Sequence, residues 1–197
     1  MVGILCAMTR RGTVLVVCTG NVCRSPYIER RLAAELGESI DVTSAGTRAL
    51  VGSPVEPGSA KLLAERGVSA DDFRARQLTA EMVEQADVVL TATRQHRGEV
   101  VKLAPQGLLR TFALADFTDL VSLLTGGVAR AGFLDDPADS AVTTAVRAAL
   151  RQRGKTQPRT DDQAEIVDPM GRTPDVFADM ARQIEKLLPP VVQALRG

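Results

Sequence analysis

A continuous apolar run, Thr13 to Val17 (TVLVV), stops at the loop Cys18-Thr19-Gly20-Asn21-Val22-Cys23-Arg24 and is followed by a helical repeat. No other feature limits the fold as much. A β-branched run without polar alternation is the pattern of a strand buried on both faces, which implies a parallel sheet covered by helices. Ile28, Leu32 and Leu36 then recur every fourth residue behind Pro26 and give one helix face that stops at Gly37. The alternation continues down the chain. Ile40 to Thr43 reads as a second strand, and Pro57 opens a helix carrying Leu62 and Leu63 that Gly67 ends. Asp87 to Ala92 (DVVLTA) is a third strand and Leu109 to Leu114 a fourth. Thr173-Pro174-Asp175 combines a cap, a proline at the first helical position and an early acid. Val176, Phe177, Met180, Ile184 and Leu187 mark one face of this last helix, which Pro189-Pro190 should break or kink near its end. The expected fold class is α/β, in three layers: a four-stranded parallel sheet with helices on both faces.

A length of 197 residues suits one such domain with an elaboration. Residues 1–197 read as a single domain, with an N-terminal extension over 1–12 and a helical insertion over about 116–163. The insertion carries helical patterns at Leu120 to Leu124 and Val142 to Leu150, then a polar stretch, RGKTQPRTDDQ, expected as a mobile loop. The formal net charge is zero, which removes any charge argument for nucleic acid or an anionic membrane. Five Phe, one Tyr and no Trp argue against a stacking surface for single strands. No apolar run approaches the roughly 20 residues of a membrane span, so no membrane insertion is expected. The basic residues of MVGILCAMTRRG follow its short apolar stretch, the reverse of a secretion signal. Three cysteines are too few for a disulfide framework, and the expected location is cytoplasmic. Cys6 has no expected role, and a start at Met8 would dispense with it. His96 reads as a surface residue on the helix behind the third strand.

The opening loop holds the chemistry. It lies between a strand end and a helix N-terminus, where backbone N–H groups converge and the helix dipole favours an anion. Gly20 and Asn21 tolerate the positive φ angles that let successive amides form a nest, and a thiol at its base ionises more readily. Arg24, six residues after Cys18, adds a planar fork able to grip two oxygens of a tetrahedral dianion. Nucleophile, anion cradle and clamp within seven residues point to attack on phosphorus.

CTGNVCRS, Cys18 to Ser25, resembles the signature of the low-molecular-weight protein tyrosine phosphatases: Cys, five residues, Arg, Ser. Ser44-Ala45-Gly46-Thr47 looks like the SAGT segment of bacterial members, Arg74 to Leu78 like their RARQL, and Asp168-Pro169 like their acid loop. The likeness covers about residues 13 to 115 and 165 to 188. It implies the phosphotyrosine phosphatase I-like fold and hydrolysis of phosphotyrosine on proteins through a phosphocysteine. Cys18 would be the nucleophile. Arg24 and the loop Thr19, Gly20, Asn21, Val22 and Cys23 would hold the phosphoryl group. Ser25 would hydrogen-bond the Cys18 thiolate, Asn21 would shape the loop with Ser44 as partner, and Asp168 would protonate the leaving oxygen and then activate water. No metal or other cofactor is implied. The implied partners are a tyrosine-phosphorylated protein and a cognate bacterial tyrosine kinase.

Some positions depart from that pattern. Met170 stands where bacterial members carry an aromatic wall, and Phe73 where many carry a supporting His. Val22 is the aliphatic residue of tyrosine-selective members, whereas phosphoarginine-selective relatives are expected to carry Thr. An arsenate reductase of the same fold needs a downstream cysteine relay, and no Cys follows Cys23. A phosphate-binding regulatory module that has lost activity would be separated from an enzyme by turnover of a simple aryl phosphate. Cys23 reads either as packing or as a redox partner that captures an oxidised Cys18 in a reversible disulfide, which would make the enzyme redox-sensitive.

Overall fold

A computed structural model of the chain describes residues 10–124 and 139–196. The positions of Cys6 and Met8 lie outside the described residues. Four strands, β1 (Gly12–Cys18), β2 (Ile40–Gly46), β3 (Val88–Thr91) and β4 (Thr111–Ala113), form one sheet in the order β2-β1-β3-β4, every pair parallel. The helices are α1 (Arg24–Leu36), α2 (Pro57–Ala64), α3 (Ala80–Gln85), α4 (Arg94–Leu103), α5 (Leu114–Ser122), α6 (Ala141–Arg151), α7 (Asp161–Ala164) and α8 (Pro174–Arg196). The expected α/β class with four parallel strands is what forms.

The uninterrupted apolar run of β1 has its cause in the two layers around it. Val14, Val16 and Cys18 face a core shared with α1, α5, α6 and α8, while Leu15 and Val17 face a smaller one built with Val83, Val89 and Val100. Both faces are covered, so polar alternation would place a polar side chain in one core or the other. In α1 the four-residue spacing buries Ile28, Leu32 and Leu36, and the helix stops where Gly37 takes φ 63°. Full burial of one such aliphatic side chain is worth roughly 1.5–3 kcal/mol.

The strand order places the site. From β1 the chain moves to β2 on one side and then crosses to β3 on the other. The loops leaving β1 and β3 therefore diverge at the C-terminal edge of the sheet and open a crevice. Cys18 ends β1 at that edge, and the segment leading to Asp168 is tied across the end of β3 by Ile166 N–H donating to the Ala92 carbonyl at 3.0 Å.

Two expectations are corrected. Helix α8 runs unbroken from Pro174 to Arg196 with Pro189 and Pro190 inside it. Each proline removes one backbone donor, but Leu187, Leu188, Val191, Val192 and Leu195 bury the apolar face around them, and the Thr118 hydroxyl reaches both the Leu114 and Leu187 carbonyls at 2.9 and 3.1 Å. His96 is a buried residue, 4% exposed, and lies beside the loop that follows β1.

The region expected as an insertion contains α5, α6 and α7. Helix α5 packs mainly on α8, and α6 lays Val142, Ala145, Val146 and Ala149 on the larger core, Val142 filling the space over Gly12 that any Cβ there would occupy. After α6, the Arg159 guanidinium grips both oxygens of Asp119 at 2.7 Å, which ties the stretch expected to be mobile to α5. Among the described residues no helix is long and apolar enough to cross a membrane.

Candidate active site

The loop from Cys18 to Arg24 is held by its carbonyls. Thr47, Arg48, Leu50 and Glu56 donate their backbone N–H groups to the carbonyls of Cys18, Thr19, Gly20 and Val22, at 2.9, 2.9, 2.9 and 2.8 Å. Gly46 permits this approach, because a Cβ there would run into the Thr19 carbonyl and Ala49. In a trans peptide the N–H points opposite to its C=O. With these carbonyls turned outward, the amides of Thr19, Gly20, Asn21 and Cys23 turn to the loop's interior. Among the described residues no loop or turn carbonyl accepts from Gly20, Asn21, Val22 or Cys23. Asn21 supplies the reversal at φ 55°, a left-handed conformation that asparagine adopts more readily than most residues.

The side chain of Asn21, fully buried, fixes the direction of the hydrogen bonds around the thiol. Its Oδ1 accepts from the Arg76 backbone N–H at 2.8 Å, and its Nδ2 donates to Ser25 Oγ at 2.9 Å and to Ser44 Oγ at 2.7 Å. Ser25 Oγ must therefore accept from Asn21, and its own proton is left for Cys18 Sγ, 3.0 Å away. That arrangement makes Cys18 Sγ the acceptor of the Ser25 hydroxyl proton. Ser44 likewise passes its proton to the Glu29 carboxylate, whose ionisation burial opposes, pushing its pKa up. The chain Glu29–Ser44–Asn21–Ser25–Cys18 crosses from α1 and β2 to the loop.

Arg24 is 5% exposed although it is the first residue of α1. Its Nη2 donates to Asp168 Oδ2 at 2.6 Å, its Nη1 lies 3.4 Å from the Ile166 carbonyl, and its Nε has no protein partner. A buried N–H group without a partner is rare, and here it belongs to the side chain best suited to oxyanions. Asp168 is half exposed, 51% by its side chain, and its Oδ1 accepts from the Met170 backbone N–H at 3.2 Å. Gln183 of α8 braces the same loop by accepting from Val167 N–H at 2.9 Å.

The sequence-expected residues Cys18, Thr19, Gly20, Asn21, Val22, Cys23, Arg24, Ser25, Ser44 and Asp168 thus fall together at one end of the sheet. Cys23 is buried, and its pKa is pushed up to about 12 by that burial and by the negative charge of Glu56. Cys18 and Cys23 are both free thiols. Phe73 is buried and stacks under the Arg30 guanidinium, 5.7 Å from ring centroid to carbon. Among the described residues no group of three or more His, Cys, Asp and Glu could hold a metal ion.

Three participants were not singled out for roles from the sequence. Glu29 lies one helical turn after Ser25, a spacing that puts both on one side of α1. Arg76 belongs to the RARQL segment and holds Ser44 O through Nη2 at 3.0 Å as well as Asn21 through its backbone. His96 gives no local signal, because its partner Thr19 is 77 residues away.

A thiol beside inward-turned amides, an arginine fork and a carboxylate across the crevice suit a phosphatase. A family match described as "Low molecular weight phosphotyrosine protein phosphatase" spans residues 13–152, and the chain belongs to that family. The "Low molecular weight protein-tyrosine-phosphatase Etp" of Escherichia coli (strain K12) is 40% identical over 100 residues, covering 51% of this chain and 67% of that protein. Among solved structures, the Erwinia amylovora tyrosine phosphatase AmsI aligns with TM-score 0.61 at 25% identity, over 92% of this chain and 94% of that one. The YwlE arginine phosphatase from Geobacillus stearothermophilus aligns with TM-score 0.68, also at 25% identity, over 94% and 93%.

Proposed function

We propose that this phosphatase hydrolyses phosphotyrosine on proteins, with Cys18 as nucleophile. Cys18 Sγ attacks phosphorus as the phenolic oxygen departs, and Asp168 gives that oxygen its proton. The inward amides and the Arg24 fork hold the three equatorial oxygens through the transition state. In the second step Asp168 takes a proton from water, the water oxygen attacks phosphorus, and the thiolate leaves toward the waiting Ser25 hydroxyl. The observation that carries this reading is the direction of the Asn21–Ser25–Cys18 hydrogen bonds, which places a proton donor on sulfur and makes it a stable leaving group.

Phosphotyrosine is favoured by the apolar rim. Leu50 is 50% exposed, Val51 69% and Met170 44%, and Leu50 is tied to Gly20 through its backbone. Leu50, tied to the loop at Gly20, and Met170, bonded to Asp168, offer apolar side chains that suit a flat ring, with Met170 as a flexible wall in place of an aromatic one. A protein carrying phosphotyrosine is the partner this activity requires, and a bacterial tyrosine kinase is the class of enzyme that makes it. The likeness to an arginine phosphatase supplies the competing reading. Assay of matched peptides bearing phosphotyrosine, phosphoserine or phosphoarginine separates the two. The expected order has phosphotyrosine fastest; faster release from phosphoarginine would overturn the substrate assignment.

A further inference from the structure

The chain has a single histidine, His96, and the mechanism above does not use it. It sits in the first turn of α4, 4% exposed, between two threonines from different elements. Its Nδ1 is 2.8 Å from Thr93 Oγ1, and its Nε2 is 2.8 Å from Thr19 Oγ1, the side chain next to the nucleophile.

The tautomer follows from counting protons. Thr93 Oγ1 caps α4 by accepting the His96 backbone N–H at 3.1 Å. Its own proton then needs an acceptor, and among the described residues His96 Nδ1 is the one within reach. If Nδ1 carried hydrogen instead, the Thr93 hydroxyl, 7% exposed, would receive two donors and waste its proton in a buried place. Nδ1 therefore accepts, and Nε2 carries hydrogen and donates to Thr19. Thr19 Oγ1 thus accepts from the ring, and no protein acceptor for its own proton is found among the described residues.

We propose that His96 is a positioning residue of the phosphate-binding loop: Thr93 holds it as the Nε2–H tautomer, which fixes the Thr19 hydroxyl as a donor to a phosphoryl oxygen. The inference rests on the reading of the Cys18-to-Ser25 loop as the phosphate site. The ring's charge state fits this role. Burial, and after it the positive charge of Arg24, pulls its pKa down to about 4, against the smaller opposing pull of Glu99 and Asp168. A helix N-terminus also disfavours an imidazolium. The ring stays neutral near pH 7, with one donor and one acceptor.

The direct test is the nitrogen spectrum of the ring, which needs no assignment because one histidine is present. In uniformly 15N-labelled protein near pH 7, long-range 1H–15N correlation should give a neutral Nε2–H ring, and orthovanadate should shift its Nε2 signal. The Nδ1–H tautomer, or a ring indifferent to vanadate, would overturn the proposal. A double-mutant cycle on kcat/KM adds the coupling. Thr19→Val should lose roughly tenfold, the worth of one hydrogen bond to a charged acceptor, and His96→Leu about three- to tenfold. The double variant should be no worse than Thr19→Val alone, and His96→Gln, which keeps an amide donor near Nε2, should recover part of the loss. Losses that multiply would show that His96 acts elsewhere. Wild-type turnover of an aryl phosphate and its loss in Cys18→Ser, measured in parallel, report on the phosphatase reading itself, which the ring tautomer does not depend on.

Discussion

Asp168→Asn should move two quantities in opposite directions. The substitution keeps the side chain's size and its acceptor for the Met170 amide, 3.2 Å away, so the loop should hold its shape. It removes the proton donor. Phenyl phosphate and phosphotyrosine expel a poor leaving group, and their turnover should fall by about the 10²–10⁴-fold typical of general acid catalysis. A nitrophenolate or fluorinated coumarin leaves almost unaided and should lose far less. The substitution also removes the carboxylate that holds Arg24 Nη2 at 2.6 Å. A phosphoryl group needs that same N–H, so the aspartate competes with it. Because the Asp168 side chain is 51% exposed, the pair is discounted to the worth of a surface ion pair. That is about 0.5–1 kcal/mol, or roughly two- to fivefold tighter inhibition by phosphate or vanadate in the variant. Steady-state kinetics across a series of aryl phosphates, with vanadate inhibition constants and melting temperatures, reads both effects. An equal loss on every substrate, accompanied by a lower melting temperature, would make Asp168 a structural turn residue and turn attention to Asp161, Asp162 and Glu165.

Acidification should destabilise the fold through His96. Its pKa falls from about 6.5 unfolded to about 4 folded, so the unfolded chain takes up a proton that the folded one refuses. Stability should be lost as pH drops from about 6.5 to 4, by about 3 kcal/mol from this group, and denaturant midpoints of His96→Gln should be flatter across that window. Peroxide should inactivate the enzyme, with recovery by dithiothreitol more complete in wild type than in Cys23→Ala. With the Cys23 thiol pushed up to about 12, capture should be slow at pH 7 and speed up at alkaline pH; identical recovery in both proteins would remove the protective role. Cutting the Arg159–Asp119 fork with Arg159→Ala should alter kinetics on phosphopeptides more than on a small aryl phosphate, because that fork ties the stretch after α6 to the body. Unchanged peptide kinetics would place that stretch away from bound protein substrates.

The strand-loop-helix core of the site was legible because its chemistry is local. Cys18, Asn21, Arg24 and Ser25 lie within one loop and one turn, so spacing alone carries their relation. Ser44 and Asp168 became legible through segments that resemble known ones. His96 was not legible. A lone histidine among charged residues, in RQHRGE, reads as exposed, and only the packing of α4 on β3 and β4 buries it beside Thr19. The proline pair of α8 misled for a related reason: local chemistry favours a break, and burial of Leu187, Leu188, Val191 and Val192 outweighs it. Nor does spacing along the chain reveal that α6 covers β1, since that depends on Gly12 leaving room for Val142.

The central claim is that phosphorus passes through Cys18. Rapid acid quench of the wild-type enzyme turning over a phosphotyrosine peptide, followed by peptide mass mapping, reads the intermediate directly. The expected result is a phosphoryl group on the peptide containing Cys18, formed faster than steady-state turnover. Cys18→Ser should show no more than a few per cent of wild-type turnover and keep its affinity for vanadate, because the amides and Arg24 remain. A phosphoryl group on another residue, or a Cys18→Ser variant that still hydrolyses the peptide at a substantial fraction of the wild-type rate, would contradict the assignment of the nucleophile.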